Sequence, residues 1–437
     1  MISPAEYVPN GPELYALAKE LFPINRSLTG EGVRKTLTRI AREIPLRIHE
    51  VPTGTGVLDW EVPREWNVQS ARIEDLEGRT LVDFNACNLH LVGYSGPVNR
   101  IVSRDELSNH IHTLPEQPDL IPYRTGYYAD SWGFCLAHAQ WQGMQDPAYR
   151  VVIESTLEAG SLTYGELHIP GEIDDEVLIS AHCCHPSLAN DNLSGIVIAT
   201  AMAKHISSRS RHLSYRFVFA PATIGAIAWL AIHDDRVGLI KHGLILTCVG
   251  DPGGFNYKQS RRADAPIDRA VNHVLERSGK AFNILPFSPT GYDERQYCSP
   301  GYDLPVGCFM RSPNGTFPEY HTSADNLSLI TPEALEDSYG MLRTIVDLLD
   351  GNRVYSRRDG RGEPQLGRRG LYRAISGQRD FPQLALLWVL NLADGQHSLL
   401  EIAERSQLPF EQIRAAADLA RSADLITEVA DSICRQY

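Results

Sequence analysis

The chain has 437 residues, 43% of them hydrophobic and 22% charged, which is an ordinary composition for a globular protein. A single compact core does not usually grow to this length, so two or three domains are expected. The formal net charge of −13 argues against a nucleic-acid partner, because contacts to phosphates need an excess of lysine and arginine.

Three further features of the sequence limit where the protein is expected to act. No apolar run approaches the roughly 18–20 residues that a membrane-spanning helix needs, so no membrane partner is expected. The first residues, MISPAEYVPNGPELY, show neither the basic nor the apolar part of a secretory signal. The eight cysteines have no disulfide-like spacing. Together these features predict a cytoplasmic protein with reduced thiols.

The first part of the chain predicts a helix, a turn and a second helix over residues 11–44, followed by a strand at 46–51. Residues 59–149 consist of short strand-like runs rich in aromatic side chains. We therefore expect a small β-rich domain inserted into a larger domain formed by residues 1–58 and 150–352. Some aromatic residues of the insert either form its own core or line a pocket; they are Tyr123, Tyr127, Tyr128 and Trp132.

After residue 150, strands that look buried alternate with helices whose apolar residues recur every 3.6 positions. Examples are the strand DDEVLISAH and the helix within DNLSGIVIATAMAKHI. This alternation predicts an α/β sandwich with a largely parallel sheet, closed by a long helix over residues 331–350.

The C-terminal part begins with residues 353–382, which are rich in arginine and glycine and predict an exposed linker. Residues 383–437 have the layout of a winged helix, with three helical segments and a β-wing around DLITEV. The four basic and eight acidic side chains of this unit give a balance of −4, which opposes DNA binding. We therefore expect that this unit serves in packing or dimerisation, and dimerisation would make the protein a homo-oligomer.

Groups suited to binding a metal occur in three separate segments. His182 ends one predicted strand, and Asp191 lies in the loop that follows it. Asp251 follows a later strand, and His321 precedes the final helix of the α/β part. Because ligands gather at the carboxyl ends of parallel strands, these side chains are expected at one edge of the sheet. Imidazole and carboxylate ligands favour zinc, which polarises a carbonyl and acidifies water.

Each of these residues also has an ordinary structural alternative. Asp191 can cap the helix that begins near residue 193, and His185 can shape a turn before a proline. A lone histidine is more often part of the core or the surface than a ligand. Polar groups at several strand ends of one sheet are nevertheless not what independent capping roles predict.

Several motifs together make the chain similar to a known group of proteins. They are SAHCCHPSLANDNLSG, PATIG, GYDERQYCSPGYDLPVG and YHTSADNL, together with FPINRSLTGEGVR and YYADSWGFC. In this combination the chain resembles a bacterial family with an aminopeptidase-like catalytic domain, an inserted β-rich domain and a C-terminal winged helix. That family is similar to the zinc aminopeptidase and glutaminyl cyclase superfamily, which implies a phosphorylase/hydrolase-like fold.

The resemblance implies a role for each matching residue. His182 and His321 match histidine ligands of the superfamily. Asp191 matches the carboxylate that bridges two metals where two are bound. Asp251 matches a further aspartate ligand only roughly. Asp251 and His185 are therefore both candidates for a fourth metal ligand or for a residue that orients one of the ligands.

Two positions depart from the superfamily, which places adjacent glutamates where this chain has Ala222 and Thr223. Without the second carboxylate, one zinc ion is expected and two remain the alternative. Ala222 stands at the position of the general base, which typically contributes about 10²–10⁴-fold to the rate. An introduced substitution, a natural loss of hydrolysis and a different base, such as Glu294 or His185, all stay open.

Substrate contacts are expected in GYDERQYCSPGYDLP and beside the late histidine. A buried carboxylate such as Glu294 can hold a free α-amine, and Arg295 can hold a carboxylate through two hydrogen bonds. Tyr320 is predicted as a third substrate contact. The ordinary alternative is an internal ion pair, either Asp293 with Arg295 or Glu294 with an arginine.

These features predict a zinc-dependent hydrolase of a peptide or amide bond, acting near a free amino terminus or on a small amino-acid conjugate. Two alternatives belong to other classes of protein. One is a catalytically silent family member that binds its ligand without turnover. The other is a winged-helix regulator that uses the peptidase-like domain as a ligand sensor.

Overall fold

The architecture comes from a computed structural model, which describes residues 7–371 and 383–429. The chain forms two compact units, residues 1–343 and 344–437, and each is described by itself. Within the described part of the chain, no helix is long and apolar enough to cross a membrane.

The secondary structure alternates between helices and strands through most of the chain. The helices are α1 (Gly11–Leu21), α2 (Glu31–Ile40), α3 (Arg104–Ser108), α4 (His138–Gly143), α5 (Gly195–Ser207), α6 (Ile224–Ile232), α7 (Pro266–Arg277), α8 (Glu294–Tyr297), α9 (Pro332–Gly351), α10 (Gln383–Leu392), α11 (Leu399–Ser406) and α12 (Phe410–Ser422). The strands are β1 (Arg47–Pro52), β2 (Gly56–Val57), β3 (Trp60–Glu61), β4 (Glu65–Glu74), β5 (Thr80–Asp83), β6 (Val98–Ser103), β7 (Ile111–His112), β8 (Phe134–Cys135), β9 (Ala148–Glu158), β10 (Ser161–Ile169), β11 (Glu176–His182), β12 (Ser214–Ala220), β13 (Ile240–Leu246), β14 (Phe255–Lys258), β15 (Phe282–Leu285), β16 (Val306–Met310), β17 (Val354–Arg357), β18 (Asp394–Ser398) and β19 (Ile426–Glu428).

The first unit is built on an eight-stranded sheet in the order β1-β10-β12-β11-β13-β16-β14-β15. The central strands β12, β11, β13 and β16 run parallel. Strand β10 pairs antiparallel with β1 and β12, and β14 pairs antiparallel with β16 but parallel with β15. The α/β class predicted from the alternating pattern is therefore confirmed, and the sheet is mixed. Parallel strands are covered on both faces, which explains why β11 is buried along its whole length.

Helix α5 covers the centre of this sheet and packs against β11, β12 and β13. It is apolar around nearly its whole circumference, as expected for a buried helix and not for an amphipathic surface helix. Its first residue, Gly195, lies so close to β13 that a Cβ atom there would come within 2.3 Å of the Leu246 carbonyl oxygen. Glycine therefore allows the start of α5 to approach the carboxyl end of the sheet.

The predicted β-rich insert contains a four-stranded sheet in the order β5-β4-β9-β6. Strand β9, residues 148–158, pairs with β4 and β6, so this sheet extends beyond the predicted boundary at 149. The pattern did not reveal the boundary because β9 and β10 follow each other closely yet belong to different sheets. Buried side chains of the insert, such as Trp66 and Tyr149, share one hydrophobic cluster with Val218 and Ile224 of the α/β part.

The second unit contains α10, α11 and α12 and a three-stranded sheet in the order β18-β17-β19. Strand β17 lies in the segment that was expected to be an exposed linker, and it pairs antiparallel with both other strands. The expectation was wrong there because β17, with the sequence VYSR, is only four residues long and is followed by a stretch rich in arginine and glycine. The remainder of the predicted linker at 372–382, and residues 430–437, lie outside the described residues.

A buried ion-pair network joins three neighbouring strands of the large sheet. Arg216 on β12 donates to both carboxylate oxygens of Glu176 at 2.5 and 2.6 Å, and to Glu166 at 2.6 Å. Burial opposes the ionisation of Glu166, but the hydrogen bond from His233 and the charge of Arg216 outweigh burial and lower its pKa to about 2. Glu166 therefore stays charged at neutral pH, and Arg216 is the guanidinium that pairs with both glutamates.

We predict that Arg216→Met destabilises the fold by about 3–5 kcal/mol, because it leaves two carboxylates buried without their cation. Arg64→Met is the control, since Arg64 and its partner Asp130 are both exposed and the loss of their pair should cost less than about 1 kcal/mol. Urea unfolding at neutral pH measures both. The depressed pKa of Glu166 means that its contribution is present above about pH 4.5 and is lost as the pH falls towards 2. Equal costs for the two variants would contradict the prediction.

Candidate metal centre

Asp191 lies in the loop between the end of β11 and the start of α5, where it is completely buried. Three imidazoles converge on its carboxylate. His182 Nε2 donates to Oδ1 at 2.9 Å, and His321 Nε2 donates to Oδ2 at 3.0 Å. His185 Nε2 lies 3.9 Å from Oδ2. The structure therefore brings together the predicted residues His182, Asp191 and His321, and it adds His185 to them.

The backbone of Asp191 is fixed by a second buried aspartate. Asp325 accepts the N–H of Asn190 at 2.6 Å and the N–H of Asp191 at 3.0 Å, one at each oxygen. On the other side, the Asn192 side chain donates to the Leu246 carbonyl at 2.9 Å. Each buried polar group has partners, so the loop holds the Asp191 carboxylate in one orientation.

The charge states suit a metal site. Burial opposes the charged form of Asp191, but the neighbouring His185 and His182 outweigh it and hold the pKa of this carboxyl well below its usual range. Burial lowers the pKa of His185 to about 3, so this imidazole is neutral at physiological pH. Burial also raises the pKa of Asp325 to about 7. An ionised carboxylate beside a neutral imidazole is the state in which both groups bind a metal ion.

Three tyrosines surround the histidines. Tyr292 stacks on His182 with ring centres 5.0 Å apart, and Tyr320 stacks on His321 at 4.0 Å. Tyr123, from the insert, packs edge-on against both His185 and His321. Burial raises the pKa of the Tyr123 and Tyr292 hydroxyls well above the usual range, so both are neutral donors.

The sequence prediction identified Tyr320 and offered Tyr123 for a pocket wall, but it missed Tyr292. The signal was present, since Tyr292 belongs to the GYDERQ motif that was considered only for its charged residues. Tyr127 and Tyr128 are exposed and pack on each other at 5.4 Å.

Ala222 lies directly after β12, whose residue Ala220 is paired with His182 in the neighbouring strand. Its backbone N–H points to the Cys184 sulfur at 3.3 Å, in the same loop as His185. The position predicted for a general base is therefore beside the histidine cluster. The side chain there is a methyl group, which cannot accept a proton.

The other predicted residues have structural partners of their own. Asp251 accepts hydrogen bonds from the Asn190 side chain at 2.9 Å and from the Ser312 hydroxyl at 2.7 Å, so it supports the loop that carries Asp191. Glu294 is buried and paired with Lys258 at 2.7 Å, a partner that the sequence analysis did not consider. The Nε of Arg295 is buried without a hydrogen-bond acceptor among the described residues.

The donor set matches zinc chemistry. Within the described residues, the potential ligand atoms of His182, His185 and Asp191 lie within 4.8 Å of one another. Two imidazoles and one carboxylate are typical zinc ligands, and three protein ligands leave a coordination position open.

Comparisons with known proteins agree with this architecture. Residues 15–352 match the model of a domain family of unknown function, DUF4910, and residues 353–428 match a winged helix-turn-helix model. A protein of Clostridium acetobutylicum is 48% identical over 418 residues, covering 95% of this chain and 96% of that protein. It carries the provisional name polysaccharide biosynthesis protein with aminopeptidase-like domain.

Solved structures show the same fold. A Clostridium acetobutylicum structure, provisionally described as a peptidase, has a TM-score of 0.91, with 46% identity and 96% coverage of both chains. The zinc aminopeptidase of Bacillus subtilis has a TM-score of 0.57 and 13% identity, covering 78% of this chain and 95% of its own. A peptidase M28 precursor from Shewanella amazonensis has a TM-score of 0.54 and 15% identity, covering 76% and 92%. At such low identities, the last two similarities establish the fold alone.

The resemblance stated from the motifs is thus confirmed for the α/β part and for the C-terminal unit. The winged helix-turn-helix domain begins near residue 353, as the pairing of β17 indicates, and not at residue 383. The chain belongs to the DUF4910 family, with an aminopeptidase-like α/β fold followed by a winged helix-turn-helix domain.

Proposed function

We propose that this protein is a zinc-dependent hydrolase of an amide or peptide bond, with its reaction centre at Asp191. The observation that carries the proposal is the convergence of three imidazoles on one buried carboxylate. The aminopeptidase-like fold supports it, since the carboxyl ends of the strands are where such folds bind ligands. A zinc ion supplies Lewis acidity, which polarises a carbonyl and acidifies water.

In this proposal one zinc ion is held by His182, His185 and Asp191. This set differs from the sequence prediction, in which His321 was the third ligand and His185 was held in reserve. His182 and His321 engage different oxygens of Asp191, as expected for a carboxylate between two metal positions. The superfamily has its second carboxylate ligand at the position of residue 223, which is threonine in this chain. His321 then orients Asp191 rather than holding a second ion.

We predict that zinc binds at about one ion per chain and that His182→Ala and His185→Ala greatly weaken its binding. His321→Ala should weaken zinc binding less, because among the described residues the group of potential ligand atoms that lie within 4.8 Å of one another consists of His182, His185 and Asp191 and does not include His321. His168→Ala is the matched control, since this histidine lies on β10, partly exposed beside Glu176. Metal analysis and zinc-dependent thermal shifts measure the effect, because a ligand at 100 times its Kd stabilises by about 2.7 kcal/mol.

The outcomes separate the ligand sets. A loss of zinc in His321→Ala with retention in His185→Ala would restore the set predicted from the sequence. Zinc retained in both His182→Ala and His185→Ala would contradict a metal centre at Asp191.

The residues around the metal position determine what the chain can do with a substrate. The neutral hydroxyls of Tyr123 and Tyr292 can donate hydrogen bonds to a carbonyl oxygen as negative charge develops on it. Tyr320 adjoins these two tyrosines, since its hydroxyl lies 3.4 Å from that of Tyr292. Position 222 adjoins the loop of His185. The alanine side chain at this position cannot accept a proton.

We predict that Ala222→Glu raises the rate of hydrolysis by roughly a hundredfold or more, because a general base contributes about 10²–10⁴-fold. Ala222→Gln is the matched control, since glutamine has the same shape but accepts no proton at neutral pH. Initial rates on amino-acid amides, dipeptides and small conjugates measure the effect. Because one relative is named for polysaccharide biosynthesis, amides of amino sugars belong in the panel.

A second candidate function is a ligand-binding protein without turnover, which the methyl side chain of Ala222 favours. If the Ala222→Glu protein retains zinc and binds a ligand tightly but does not cleave it, this candidate replaces the hydrolase.

The winged helix-turn-helix domain favours a third candidate function, a regulator that uses the peptidase-like domain as a ligand sensor. Residues 353–428 contain eleven arginines and ten acidic residues, a balance of +1 rather than the −4 counted from residue 383. This balance is too small to drive binding to phosphates, so we retain the proposal of no nucleic-acid partner. The partner that we propose is a small peptide or amino-acid conjugate.

A further inference from the structure

The segment FPINRSLTG follows helix α1 and supplies a buried arginine to the loop after β11. Arg26 is only 2% exposed. Its side chain donates three hydrogen bonds, from Nε to the His185 carbonyl at 2.8 Å, from Nη2 to the Pro186 carbonyl at 2.9 Å, and from Nη1 to the Leu21 carbonyl at 2.7 Å. One guanidinium therefore links the end of α1 to the loop that carries His185.

The partners of Arg26 are unusual for a buried arginine. Within the described part of the chain, no carboxylate forms an ion pair with it, and its three acceptors are neutral backbone carbonyls. Arginine is almost never fully buried without an anionic partner, because desolvating the charge is costly. Burial lowers the pKa of Arg26 to about 10, so it still carries its charge at neutral pH. Such a costly arrangement calls for a reason beyond packing.

The same loop is held at the next residue by Phe22 of the FPINRSLTG segment and by Asn88 of the insert. The Ser187 hydroxyl donates to the Phe22 carbonyl at 2.7 Å, and the Asn88 side chain donates to Ser187 at 2.9 Å. These bonds fix the position of the loop but do not contact the backbone of His185. Among the described residues, Arg26 is the one whose side chain forms a hydrogen bond with the backbone of His185.

The position of the His185 backbone determines where its imidazole lies. The ring packs against His182 and Tyr123, and its Nε2 reaches to within 3.9 Å of Asp191. A metal ligand must be placed within about 0.5 Å of its productive position. A shift of the His185 backbone would move its imidazole out of the cluster without unfolding the protein.

We infer that Arg26 is a positioning residue, which holds His185 against Asp191 so that both bind the same metal ion. The inference rests on the proposed zinc centre and assigns a role to the FPINRSLTG motif. Partners that orient metal ligands typically change metal affinity by 10–100-fold when they are removed. The effect of Arg26 should therefore appear in zinc affinity and should pass through the imidazole of His185.

The test is a double-mutant cycle on the full-length protein, with Arg26→Met made in the wild type and in His185→Ala. Competition with a chromophoric chelator measures zinc affinity, and urea unfolding of the metal-free proteins measures stability. We expect Arg26→Met to weaken zinc binding about 10–100-fold in the wild type and to have no further effect in His185→Ala. Its cost in stability should be the same in both backgrounds, because the three carbonyls remain.

Two variants guard against a trivial result. Arg34→Met removes an arginine that pairs with Glu50 and Glu65, so it should lower stability without changing zinc affinity. If Arg26→Met does not fold, Arg26→Lys takes its place in the same cycle. Lysine keeps the charge but cannot make all three bonds, so a smaller loss of zinc affinity is expected.

The outcomes distinguish this inference from the proposed function. If Arg26→Met lowers stability with unchanged zinc affinity, or weakens zinc equally in both backgrounds, Arg26 is structural and the inference is overturned. If His185→Ala binds zinc as tightly as the wild type, the inference is also overturned while a zinc centre remains. If the wild type binds no zinc, both the inference and the proposed function fail.

Discussion

The buried, charged carboxylate of Asp191 is the constraint on which the arrangement of the surrounding residues depends. Asp191 is out of water and ionised, so the surrounding protein must supply polar partners in place of the solvent. The imidazoles of His182 and His321 donate directly to its two oxygens. This explains why polar residues are concentrated between an apolar strand and an apolar helix.

The support for this carboxylate comes from distant parts of the chain. Asp325 fixes the backbone on both sides of Asn190, and Asp251 holds the Asn190 side chain while also binding Ser312. Arg26 reaches the loop from the N-terminal segment. The groups that surround the metal position are therefore held by buried hydrogen bonds whose partners are themselves satisfied, which favours a single well-defined arrangement.

Much of the fold followed from local patterns. Continuous apolar runs identified β11, β12 and β13, and the helical period identified the long helix α9, because each pattern reflects burial within one element. His182, Asp191 and His321 are predicted as ligands because they lie at the end of a strand or in loops near the sheet edge, and the superfamily motifs that they match support the same prediction. These predictions needed no knowledge of which distant residues meet.

The remaining features depend on contacts between distant residues. The pairing of Glu294 with Lys258 joins α8 to β14, and the placement of Tyr123 brings the insert to the histidine cluster. The sequence predicts a linker at β17 because the strands that pair with it lie about 40 and 70 residues away in the chain. The sequence does not determine the role of His185 for a related reason, since the distance of its imidazole from Asp191 depends on the shape of the loop.

The central claim is that Asp191 and the histidines around it form one metal centre. Anomalous diffraction from crystals soaked in zinc, with data on both sides of the zinc absorption edge, tests this claim most directly. The account predicts one strong peak within about 2.0–2.2 Å of ligand atoms of Asp191 and His182. No peak at this position, or a peak that touches neither residue, would contradict it.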